Sequence, residues 1–98
     1  MVLIVCGRMI RRYLKYPFSM KSTNRRSSER AFLKKVGAQI RKARKEKGLS
    51  QEALALTAGL DRSYVGGVER GERNIAIINL NSLAGALGLR LSELFADL

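Results

Sequence analysis

The 98-residue sequence predicts an all-α domain, a compact bundle of five helices, and three observations carry that prediction. Apolar residues recur at spacings of three and four rather than two. Glycines and small polar residues punctuate the chain where helices should stop and start. No segment alternates apolar and polar residues over a length that would make a strand.

Each element has its own warrant. From Ala31, the residues Leu33, Val36, Ile40 and Ala43 make one apolar face on a helix otherwise filled with Lys and Arg, and Gly48 stops it. Ser50 is placed to N-cap a second helix, with Glu52 in its first turn to suit the helix dipole. Leu54, Ala55 and Ala58 line its inner side, and Gly59 ends it in a turn that wants a left-handed residue. Asp61 is expected to N-cap a third helix, with Val65 and Val68 facing inward. "GERN" reads as a loop. Ile77, Leu80, Leu83, Ala84 and Leu87 mark a fourth helix stopped at Gly88, and Ser92 is expected to cap a last short one, "SELFADL".

Two of these helices are joined by a short turn containing glycine, which is the pattern of a helix-turn-helix. In residues 51 to 70, Ala55 is small where two helices must cross, Gly59 takes the turn, and Leu60, Val65 and Val68 plug the crossing. The third helix raises a question, because Gly66 and Gly67 sit in its middle. Each costs a helix roughly 1 kcal/mol against alanine.

"IRKARKEKGLSQEALALTAGLDRSYVGGVERGERN", followed by "LAGALGLRLSELF", resembles the helix-turn-helix (XRE-type) family of phage repressors, Cro-type proteins and the small controller proteins of restriction–modification operons. The resemblance spans residues 31–98 and leaves out residues 1–30. It implies a lambda-repressor-like domain that binds double-stranded DNA, usually as a homodimer.

On that resemblance the third helix enters the major groove N-terminus first. Arg62, Ser63, Tyr64 and Gly67 are the positions expected at base edges and nearby phosphates. Arg62 is the expected sequence reader, because its planar fork matches the two acceptors of guanine. Tyr64 has two readings, its ring packed on a thymine methyl or its hydroxyl given to a phosphate, with the phosphate preferred. Gly67 stands where relatives often carry a base-reading side chain, so its absence would let the backbone press closer to DNA. Gly66 is placed on the adjacent, more solvent-facing side. Gln51, Arg73 and Asn74 are expected on the phosphate backbone. Arg44, on the edge of the first helix's apolar face, and Glu69, four residues after Val65, are expected to form a partly buried ion pair. Ala76 stands where the resemblance leads one to expect a capping serine. Ile75, Ile77, Ile78, Leu94 and Leu98 exceed what a small core needs and are assigned to a twofold interface.

The charge is uneven along the chain. Residues 1–35 carry a net +9, residues 36–73 a net +3, and residues 74–98 a net −1, within a total of +11. The basic front half calls for an anionic partner. The seven apolar residues that open the sequence are too few for a span, which needs about 20. A short amphipathic anchor over residues 1–19 is one reading, but a segment upstream of a working start at Met20 is the preferred one, and membrane attachment is not expected. "KSTNRRSSER" is read as a basic, flexible arm, so that residues 1–30 form an extension and residues 31–98 the domain.

There is no His and a single Cys, which excludes Cys/His metal clusters and Ser-His or Cys-His nucleophile pairs. No phosphate-binding glycine loop is present. No enzyme, cofactor, metal or small-molecule ligand is expected, and Cys6 alone fits a reducing cytoplasm. The leading expectation is a sequence-specific transcriptional regulator, a repressor or activator controlled by its own concentration and dimerisation. The alternative is an antitoxin on the same scaffold, which predicts a small toxin gene next door.

Overall fold

The computed structural model describes residues 22–98, with side chains from residue 25. The anchor and start-site readings of residues 1–19 lie outside the described residues. The described chain forms five helices and no strand: α1 (Ser22–Glu46), α2 (Gln51–Ala58), α3 (Arg62–Glu69), α4 (Ile77–Ala86) and α5 (Leu91–Leu94).

The first helix begins earlier than its apolar pattern predicts. Residues 22–30, read from composition as a flexible arm, are its opening turns. A helix already nucleated by its packed half extends by one hydrogen bond per residue. Arg25 and Glu29 support that extension, pairing at 3.0 Å across one turn. From Leu33 onward the helix buries the expected face, with Val36 and Ile40 in the core and Ala43 against it.

α2 and α3 begin and end for legible reasons, with one exception. The Ser50 hydroxyl accepts from the Ala53 backbone N–H at 3.0 Å. Gly59 takes the left-handed conformation at φ 71°, and the Leu60 N–H closes back onto the Ala55 carbonyl at 2.8 Å. The exception is Asp61, which stands at the N-cap of α3 but makes no side-chain bond to its backbone. Its carboxylate instead accepts the Ser63 hydroxyl.

The core is one cluster. Ile40, Leu54, Val65, Val68 and Leu83 are its largest fully buried side chains. α3 packs on both α1 and α2, α4 packs on α2, and α5 seals the end against α4 and α1. Ile77, counted in the apolar pattern of α4 and also assigned to a twofold interface, is 62% exposed and not part of the core. Leu94, assigned from sequence to a twofold interface, is 3% exposed and belongs to this chain's own core. The one-turn α5 turns its only buried side chain inward, so Leu94 is spent on the monomer. Ser92 does not cap that helix. Arg90 holds the N-cap position, and the Glu93 carboxylate accepts the Arg90 backbone N–H at 2.9 Å. Ala76 leaves α4 without a side-chain cap.

Gly37, inside α1, lies directly against the backbone at the C-terminal end of α3. A Cβ there would lie 2.5 Å from the Glu69 carbonyl oxygen and closer still to that of Val68. Both obstacles are backbone and cannot swing aside. Gly37→Ala should therefore lower the unfolding free energy by about 1–3 kcal/mol or more, despite alanine's better helix propensity. Urea unfolding at fixed protein concentration checks this, and an unchanged midpoint would contradict the close approach.

Candidate nucleic-acid interface

An eight-residue helix with two glycines has little stability of its own. α3 holds its place through what it is packed against, and a buried ion pair supplies the polar part of that packing. Arg44 Nε donates to Glu69 Oε2 at 2.7 Å and Arg44 Nη2 to Glu69 Oε1 at 3.0 Å. The arrangement is bidentate, with side chains 10% and 2% exposed. The hydrogen bonds it donates to Glu69 hold the Arg44 guanidinium above its ordinary pKa, against the opposing effect of burial.

Two further bonds complete the network. Arg44 Nη1 donates to the Leu49 carbonyl at 2.8 Å, and Gln51 Nε2 donates to Glu69 Oε1 at 3.0 Å. No buried side-chain polar atom among the described residues lacks a partner. Gln51, expected on a phosphate, is thus also tethered to the ion pair. One of its amide protons is used and one remains to donate outward.

The residues expected to meet DNA divide into three groups. Arg62 and Ser63 are exposed at the start of α3, with the serine hydroxyl turned to Asp61. Tyr64 is half-buried, and its hydroxyl accepts from Asn79 Nδ2 of α4 at 3.3 Å. Arg73 and Asn74 are exposed in the loop after α3.

Both glycines of α3 are buried, which corrects the placement of Gly66 on a solvent-facing side. A Cβ on Gly66 would meet Arg70 Nη1 at 3.1 Å and Gln51 Oε1 at 3.4 Å. A Cβ on Gly67 would meet Arg73 Cγ at 2.7 Å, because the stem of Arg73 folds across that position. The missing side chains leave a shallow seat that long polar side chains from neighbouring segments fill.

Asn79 and Gly37 escaped the sequence reading. Nothing in the pattern around Asn79 ties it to a tyrosine fifteen positions earlier. Gly37 did carry a signal, since an isolated glycine in a helical run often marks close backbone packing. Of the interface candidates, Ile77, Ile78 and Leu98 are exposed at 62%, 74% and 43%, while Ile75 packs partly against the core.

Comparison with known proteins places this geometry in a group. A helix-turn-helix family model matches residues 40–94. Control protein C.MunI of Mycoplasma sp is 45% identical over 65 residues, 65% of this chain and 88% of that protein. The immunity repressor protein of Bacillus phage phi105 is 40% identical over 62 residues, 63% of this chain and 43% of that protein. Among solved structures, the restriction–modification controller protein C.AhdI from Aeromonas hydrophila is 57% identical with a TM-score of 0.65, covering 66% of this chain and 98% of that one. The controller C.Esp1396I, solved as a tetramer in complex with its natural 35 base-pair operator, is 41% identical with a TM-score of 0.62, covering 65% of this chain and 84% of that one.

Proposed function

This chain belongs to the helix-turn-helix family, and we propose that it is a sequence-specific regulator of transcription that binds a near-palindromic operator as a homodimer. The observation that carries the proposal is the exposed N-terminal turn of α3, bearing Arg62 and Ser63, on a helix held by the buried Arg44–Glu69 pair. A reading head needs side chains free to meet bases and a backbone that does not yield when they do.

In this reading α3 enters the major groove and Arg62 donates both arms of its fork to a guanine. Tyr64, steadied by Asn79, offers its ring edge and hydroxyl beside it. Gln51, at the N-terminus of α2, adds its remaining amide proton and the helix dipole to a phosphate. Arg73 and Asn74 take the same backbone on the other side. Gly67 lets α3 approach closely, with the Arg73 stem as the cover to be displaced. The exposed Ile77, Ile78 and Leu98 supply the apolar patch for a second copy. Two copies would set their recognition helices about 34–36 Å apart. The named relatives, control proteins and a phage repressor, support regulation of transcription over catalysis.

Fluorescence anisotropy of the full chain on DNA from the gene's own upstream region, with random duplex as competitor, tests the proposal. A preference of about 10³ or more is expected, and none at any promoter tried would sink it. Arg62→Ala should lose about 1–3 kcal/mol on the operator and relax the preference at one base pair. Arg73→Ala should weaken both duplexes alike. Equal losses on both from Arg62→Ala would make that residue a phosphate contact only.

Ile78→Glu tests the dimer separately. The variant should keep the helical content of the parent, since Ile78 is 74% exposed, yet sediment as a monomer where the parent is a dimer. A dimer unaffected by this charge would move the interface elsewhere.

A further inference from the structure

Resting on the DNA-binding reading above, we propose that the opening turns of α1 form a second phosphate-binding surface, which extends the domain's footprint along the duplex backbone. This surface lies outside the part that the family model covers. The match begins at residue 40, whereas α1 begins at Ser22.

The charge on these turns is one-sided. Residues 25–35 carry Arg25, Arg26, Arg30, Lys34 and Lys35 against Glu29 alone, and all six side chains are exposed. The helix has no acidic residue in its first turn, so its dipole adds to the positive field. Arg25 is taken up by Glu29. Among the described residues no ion pair engages Arg26, Arg30 or Lys34. These three follow one another at intervals of four, so they share a face and stand about 6 Å apart along the helix axis. A stripe of such cations on a rigid helix is the complement of a line of phosphates.

The stripe is continuous with the interface already proposed. Arg26, Arg30 and Lys34 line an open groove whose other wall is the loop after α3, including Arg70, Gly71 and Asn74. The two walls touch. A Cβ on Gly71 would lie 2.9 Å from both the backbone nitrogen and the Cα of Lys34. The groove's two acids are both neutralised locally, Glu29 by Arg25 and Glu72 by Arg70 at 3.1 Å. Its net field therefore comes from Arg26, Arg30 and Lys34. A duplex backbone gripped by Arg73 and Asn74 would continue past the groove mouth, where these cations meet its next phosphates.

The test uses the full chain and a random-sequence duplex, so that it does not depend on knowing the operator. The triple variant Arg26→Gln/Arg30→Gln/Lys34→Gln is compared with the parent across a salt series. A control, Lys42→Gln/Lys45→Gln/Arg90→Gln, removes the same charge from exposed positions away from the groove. The slope of log affinity on log salt should fall by about 0.9 for each phosphate no longer neutralised, hence about 2.7 per bound protomer in the groove variant. The control should keep the parent's slope. Thermal unfolding verifies that both variants fold. An unchanged slope in the groove variant, or an equal fall in the control, overturns the second surface while leaving the regulator reading intact. A parent that binds no duplex at low salt overturns both.

Discussion

The Arg44–Glu69 pair holds α1, α2 and α3 in a single geometry. Glu69 receives both arms of the Arg44 fork and the Gln51 amide, while Arg44 also grips the Leu49 carbonyl ahead of α2. Four segments meet at one carboxylate and one guanidinium. Two charges so enclosed are costly to desolvate, and they are tolerable because each is met by several well-aligned hydrogen bonds. The gain is directional. Val65 and Val68 would pack against α1 over a range of helix rotations, whereas a bidentate pair accepts few.

That constraint explains how α3 can be so poor a helix in isolation. With its orientation set from one end by Glu69 and from its apolar side by Val65 and Val68, it has no need of alanines at positions 66 and 67. The two glycines are then free to serve shape. Gly66 gives the Gln51 and Arg70 side chains room to cross, and Gly67 gives the same to Arg73. Side chains proposed to grip phosphates thus lie folded over the recognition helix in the free protein. Local structure, packing and readiness to bind are arranged around the same few residues.

Much of this was legible in the sequence, and the failures have physical causes. The spacing of Leu33, Val36 and Ile40 points to a buried face because a helix repeats every 3.6 residues. Ser50 and Gly59 announce their roles because capping and left-handed turns are local chemistry. Asp61 and Ser92 misled for the same local reason, since a capping residue in the right place can be given another partner or be outpaced by a neighbour such as Glu93. The polar composition of residues 22–30 concealed a helix that extends from a well-packed stem. Leu94, assigned to an interface, lies in the core, because the spacing of an apolar residue near a helix end does not by itself say whether it turns inward. The Tyr64–Asn79 bond joins separate helices and could not be read from either alone.

The most direct test of the account is a double-mutant cycle on the pair that orders it. Urea unfolding of the parent, Arg44→Ala, Glu69→Ala and the double variant, at one protomer concentration, yields the coupling free energy. Each single change should cost about 3–5 kcal/mol, because it strands a buried partner. The double should cost far less than the two singles added together, since neither stranded charge remains. Singles of less than about 1 kcal/mol that simply add, as for an exposed pair, would contradict the claim that this contact sets the recognition helix in place.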